Sequence, residues 1–113
     1  MTAAVEPLDV LVVYVPTEST RDVLDALFAA GAGRLGSYEQ CAWVTRGTGQ
    51  FRPIEDAQPA IGTLGMLEHV EEDRVEVMLP RALRRDVVTA LRAAHPYEEM
   101  AFHVIATANC EDA

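Results

Sequence analysis

The sequence predicts an α+β domain of the ferredoxin-like kind: a four-stranded antiparallel sheet in the order 4-1-3-2, with two helices on one face. Three observations carry that expectation. Apolar β-rich runs and segments of helical period follow one another as βαββαβ. The two βα halves match the split βαβ arrangement. Half of the 113 residues are apolar and no linker or low-complexity tract interrupts them, so residues 1–113 read as one domain with its own core.

Each element follows from local chemistry. "DVLVVYVP" (9–16) is an apolar run closed by Pro16, and reads as the first strand. "STRDVLDALFAAG" is a helix: Ser19 can cap it, Asp22 suits its first turn and Gly31 suits its exit, while Val23, Leu27 and Ala30 share a face. "YEQCAWVTRG" (38–47) is the second strand, less regular in pattern. The segment Gly47–Gly65 is rich in glycine and proline and reads as a long connection, partly ordered around apolar Phe51, Ile54 and Ile61. "RVEVMLP" is the third strand. In "RALRRDVVTALRAAH", Leu83, Val87, Leu91 and Ala94 recur at helical spacing. "MAFHVIAT" is the fourth strand, and residues 107–113 close the chain as a polar tail.

Composition narrows the function classes. A formal charge of −9 argues against a phosphate-backbone partner, so nucleic acid is not expected. No apolar run reaches membrane-spanning length, and "MTAAVEPLD" lacks a basic region before an apolar stretch. Cys41 and Cys110 do not form a disulfide or zinc pattern, which points to a cytoplasmic setting.

"GAGRLG" (31–36) is a literal G-x-G-x-x-G, but it follows a helix and leads into a strand. A dinucleotide loop needs the reverse order, so a helix exit and tight turn is the better reading. Arg81, Arg85 and Arg92 form a stripe on the second helix, read as a solvated face. Cys41 has no neighbouring base in sequence and reads as a small buried hydrophobe. No nucleophile–base pair is evident, so catalysis is not expected.

"HPYEE" (95–99) is the richest cluster. Pro96 disfavours helical conformation at His95 and should end the helix there. Tyr97 should be partly buried with its hydroxyl bonded. The end of the first strand lies beside the start of the fourth, so Glu18 could approach His95, Glu98 and Glu99. With His103 as a further ligand, that set suits a divalent metal ion. The Gly47–Gly65 loop is expected at the opposite end of the sheet, unable to join this cluster within one protomer.

The ordered elements "VVYVP", "AAGAGRLGSYEQCAW", "GTGQFRP", "PAIGTLGMLEHVEEDRVEVMLP" and "AAHPYEEMAF" resemble the inserted domain of the NIF-three (NGG-interacting-factor-three-like) family, which is similar to CutA and to PII signalling proteins. The resemblance runs from Val10 to Val104. It implies a ferredoxin-like module. The full-length family resembles a dinuclear-metal hydrolase, often described as a cyclohydrolase, whose metal ligands lie in flanking domains; that activity does not carry over. Trp43 stands where the family pattern favours Phe, and His103 where it favours Asp.

Two functional expectations follow. The first is a non-enzymatic oligomeric module that binds a small effector or protein partner through the long loop, with Phe51 and Arg52 making contact. The alternative is a divalent-metal binding protein using His95, Glu98 and Glu99. Strand one is apolar on both faces, with Val10, Val12 and Tyr14 opposite Leu11, Val13 and Val15. Two short helices cannot cover both faces, so self-association is expected. The similarity to CutA and PII implies a trimer rather than a dimer.

Overall fold

The computed structural model describes residues 6–108. Its elements are β1 (Leu8–Pro16), α1 (Thr20–Ala29), β2 (Trp43–Phe51), β3 (Glu68–Pro80), α2 (Arg84–Ala94) and β4 (Phe102–Ala106), with single 3-10 turns at Thr17–Ser19 and Arg81–Leu83 leading into the two helices. The four strands form one sheet in the order β2-β3-β1-β4, and every pairing is antiparallel. This is the expected ferredoxin-like order.

Alternation on β1 and β3 sets the core. Leu11 pairs with Val77 and Val13 with Val75 across the ladder, and with Val15 and Leu79 on the same face these six side chains meet Val23, Leu27, Val87 and Leu91 from the helices. Leu83, Ala94, Phe102 and Val104 pack around that centre. The opposite face carries Val10, Val12, Tyr14, Met78, Ile105 and Trp43, interrupted by the ion pair of Arg74 with Glu76 at 3.2 Å. Ile105 is 48% exposed and Trp43 66%.

The strand bounds differ from the expected ones in an instructive way. Residues 37–42 do not join β2. Leu35 and Tyr38 instead bond each other reciprocally, and the Cys41 N–H returns to the Gly33 carbonyl at 2.8 Å, folding the segment back on itself. Cys41 is consequently half-buried rather than a core residue, and Cys110 lies outside the described residues. At its other end β2 runs on through Gly47 and Gly49 to Phe51, because β3 begins earlier than its apolar run and supplies Glu68–Glu72 as ladder partners.

Helix α1 starts without a side-chain cap from Ser19. Thr20 Oγ1 donates instead to buried Asp73 on β3 at 2.6 Å, tying the helix start to the sheet. At its exit Gly31 takes φ +106°, and a Cβ there would come within 2.7 Å of Leu83 Cδ1. The glycine motif is thus a helix exit packed against the start of α2, as its position after a helix implied.

A second knot closes the far end. Asp9 lies in phase with the core residues of β1 and is fully buried. Arg81 Nε donates to its Oδ1 at 2.9 Å and Arg84 Nε to its Oδ2 at 2.8 Å. Burial alone would push the Asp9 carboxyl up; the bonds and charges of the two guanidiniums outweigh it and hold it below its ordinary value. Arg81 Nη2 also reaches the Leu8 and Thr107 carbonyls, and Thr107 bonds Leu8 through N–H and Oγ1. Arg81 is therefore no part of a free stripe; Arg85 and Arg92 are exposed, as the solvated reading expects, with Arg92 also lying over the Phe102 ring at 5.2 Å.

Replacing Arg84 by Ala should cost about 1–3 kcal/mol, since one oxygen of a buried carboxylate loses its donor. Removing Arg81 and Arg84 together should cost about 3–5 kcal/mol by stranding the charge, as read by urea denaturation.

Candidate functional site

The polar end of the molecule is built where α2 hands the chain to β4. Pro96 keeps His95 out of helical conformation, and His95 sits at φ −76°, ψ 135°, while its N–H still closes the last helical turn on the Leu91 carbonyl. Its ring is buried, at 6% exposure. Nε2 lies 2.7 Å from the Tyr14 carbonyl of β1, and Nδ1 accepts the Tyr97 N–H at 3.1 Å. These two partners dictate one tautomer: a carbonyl takes only a donor, so the proton sits on Nε2, and an N–H needs an acceptor, so Nδ1 is bare. Burial lowers the pKa of His95, against the opposing pull of the Tyr14 carbonyl and the Glu72 charge.

That anchoring directs Tyr97. Its ring stands 5.0 Å from the His95 ring and 5.8 Å, edge-on, from Phe51 at the end of β2. Its hydroxyl donates to Glu72 Oε2 on β3 at 2.9 Å. Burial, the bond to Glu72, and the charges of Glu72 and Glu18 all raise its pKa, so Tyr97 stays protonated. The half-buried ring and bonded hydroxyl match the expectation. Glu72 occupies the space that Gly49 leaves open: a Cβ there would meet its carboxylate and displace it.

The loop after β2 joins this cluster within the same protomer, contrary to expectation. The α1 crossover makes β2 run parallel to β1, so the β2–β3 connection leaves the sheet at the end where β1 stops and β4 starts. The Gln58 N–H donates to Glu98 Oε1 at 2.8 Å, and Gly65 N–H to the Pro53 carbonyl at 2.7 Å, so the loop is anchored at its rim and pinned to itself. Between loop and turn lies an open groove of about 860 Å³, lined by Tyr14, Phe51, Arg52, Glu72, Tyr97 and Glu98 among others.

The expected metal set does not assemble. Among the described residues no three His, Cys, Asp or Glu side chains come together to hold a metal ion. Both nitrogens of His95 are engaged in holding the turn. Glu18 is exposed on the 3-10 turn after β1, and His103 is exposed on the open sheet face opposite Val12. Glu98 and Glu99 are exposed and line the groove instead. Phe51 and Arg52 do lie at it, and the residues that sequence reasoning missed are Glu72 and Tyr14. The antiparallel register Pro16↔Glu72 could have placed Glu72 there, had β3 been extended through its acidic start.

No family model matches the chain. It is 52% identical over 99 residues to the protein of Mycobacterium tuberculosis named GTP cyclohydrolase 1 type 2 homolog, covering 88% of this chain and 26% of that protein. The Bacillus subtilis protein of the same name is 43% identical over 99 residues. Among solved structures, a Bacillus cereus protein related to NIF3 superposes with a TM-score of 0.81 at 39% identity, over 96% of this chain and 28% of that one. CutA of Archaeoglobus fulgidus, a periplasmic divalent cation tolerance protein, superposes at 0.65 with 14% identity over 90% and 85%, which shows a shared fold. The chain spans about a quarter of the length of the curated relatives it matches, and it is similar to NIF3-related proteins over that segment.

The neutral, buried state of His95 has a pH signature. As pH falls through the ordinary 6.5, the unfolded chain takes up this proton and the folded chain does not. Stability is therefore full above 6.5 and is lost as pH falls toward the depressed native value. The unfolding midpoint should drop between about pH 7.5 and about pH 5.5, with a slope of at most about 1.4 kcal/mol per pH unit from this group. His95→Gln should be less stable throughout and show a flatter dependence in thermal denaturation.

Proposed function

Starting from its kinship with NIF3-related proteins, we propose that this chain is a non-enzymatic module that assembles with copies of itself and binds a small effector or a protein partner in the groove between the β2–β3 loop and the His95–Glu99 turn. The carrying observation is the construction of that groove. Three strand ends, a loop and a helix terminus converge on it, and its wall is fixed by Tyr97, which is held from His95, Phe51 and Glu72. Concave sites that mix aromatic walls with a few placed polar groups are the usual form of a ligand site.

The cyclohydrolase named for the curated relatives is not proposed for this chain, which spans 26% of the M. tuberculosis protein. Among the described residues nothing at the groove pairs a nucleophile with a base: His95 has both nitrogens committed, and burial and Glu72 keep the Tyr97 hydroxyl protonated. The divalent-metal reading is the weaker one, because the named ligands are dispersed. Among the described residues no helix is long and apolar enough to cross a membrane. The cytoplasm is the setting we propose, from the two unpatterned cysteines.

Self-association is supported by the sheet face away from the helices. Ile105 and Trp43 are exposed on it and Val10 and Met78 are half-buried, an apolar surface that a monomer would leave partly in water. A second copy is the fitting occupant, since the face is itself mixed, and the surface ion pair of Arg74 with Glu76 could exchange partners with the same pair on a symmetric neighbour. The CutA-like fold favours three copies.

Native mass spectrometry of untreated protein, with light scattering after size exclusion, tests both halves of the proposal. A trimer carrying a small bound species is the expected result. A dimer would contradict the CutA analogy, and a monomer at micromolar concentration would contradict the use of the open face. Trp43→Asp should weaken assembly without unfolding the chain, because the Trp43 side chain is exposed and its indole N–H bonds Thr45 on the same strand at 2.9 Å.

A further inference from the structure

The groove's chemistry goes further than its shape. Five carboxylates line it, on Glu55, Asp56, Glu72, Glu98 and Glu99, against the single guanidinium of Arg52. The sign of the site is negative, and His95 beneath it is held neutral. These carboxylates do not converge: among the described residues no three ligating side chains come close enough to hold a metal ion. They share the groove wall with three aromatic residues, Tyr14, Phe51 and Tyr97, of which Phe51 and Tyr97 meet edge-on at 5.8 Å. A compact, strongly hydrated ion gains little from such a wall, whereas an organic cation gains from both parts of it. Its N–H groups can bond separated carboxylates, and its charge and stem can lie against ring faces within about 6 Å.

Resting on the reading that this groove is the binding site, we propose that its ligand carries an alkylammonium or alkylguanidinium group. Glu72 is the first partner. Tyr97 occupies its Oε2, and a carboxylate that takes one donor still has lone pairs for another. Its carboxylate is oriented by the Tyr97 hydroxyl in the space that Gly49 leaves open, which lowers the side-chain freedom lost on binding. Glu98 is the second: the Gln58 N–H holds its Oε1, which fixes the loop rim at the same time. A cation bridging the two would clamp the β2–β3 loop to the turn, while Arg52 would oppose it by charge.

Titration of the intact protein, followed by calorimetry and amide NMR shifts, decides the class. The probes are 1,4-diaminobutane, ethylguanidinium, a trilysine peptide, manganese(II) and adenosine monophosphate. Saturable binding of the organic cations is expected, with shifts at Phe51, Gln58, Tyr97 and Glu98. Glu72→Gln should weaken it about tenfold, as for a lost charge-assisted bond, and Arg52→Gln should tighten it. Glu98→Gln provides the same test if Glu72→Gln fails to fold. Binding of trilysine without the diamine would assign the cation to a protein side chain and sustain the proposal. Groove binding of the nucleotide that depends on Arg52, or of manganese in preference to the amines, would overturn the cation while leaving the groove as a binding site. No groove shift with any probe would overturn both.

Discussion

Helix α2 ends, β1 ends and β4 begins around a single buried imidazole. His95 donates through Nε2 to the Tyr14 carbonyl and accepts the Tyr97 N–H at Nδ1, so one side chain joins a strand end to the turn that follows the helix. Tyr14 contributes from both sides of its backbone, since its N–H bonds the Ala101 carbonyl just ahead of β4. The seat of Tyr97 in the groove wall depends on this link. If His95 carried a second proton, Nδ1 could no longer accept the Tyr97 N–H, and the Tyr97 ring would lose its support between Phe51 and Glu72. The imidazole that resembles a ligand or a base is employed as a bracket.

The two ends of the sheet are finished by opposite means. At the Leu8 end, Asp9 is buried and saturated by Arg81 and Arg84, and the neighbouring carbonyls of Leu8 and Thr107 are bonded as well. Such a closed charge network leaves little for a ligand to recognise. At the Tyr14 end the carboxylates are partly used and partly open. Glu72 and Glu98 each accept one bond from the chain and face a groove. Closure at one end and incomplete satisfaction at the other separate the stabilising pole from the recognising pole of the same small domain.

Much of the fold is legible in the residues because burial follows period. Val75, Val77 and Leu79 alternate into the core, and Val87 and Leu91 recur at helical spacing on α2. What escapes is decided by partners distant in sequence. Gly47 and Gly49 look like breakers, yet β3 holds them in an edge strand, and Gly49 makes room for Glu72. The acidic start of β3 has no apolar face to announce it, so β3 reads short at its start and β2 ends too early. The groove's position was derivable: a right-handed crossover through α1 leaves β2 parallel to β1, and the loop must emerge beside "HPYEE". Asp9 also left a trace, as a charge in phase with Leu11 and Val13, though its arginine partners lie more than 70 positions away. The bond from His95 to a backbone carbonyl left none, because every residue offers one.

The central claim is that His95 is neutral and singly protonated at Nε2, with Nδ1 holding the turn. Long-range nitrogen–proton correlation NMR on the histidine rings at neutral pH reads this directly. The hydrogen bonds of His95 predict the Nε2–H tautomer, with the Nε2 proton slow to exchange and the Nδ1 resonance in the unprotonated range. An Nδ1–H tautomer, or an imidazolium at neutral pH, would contradict it.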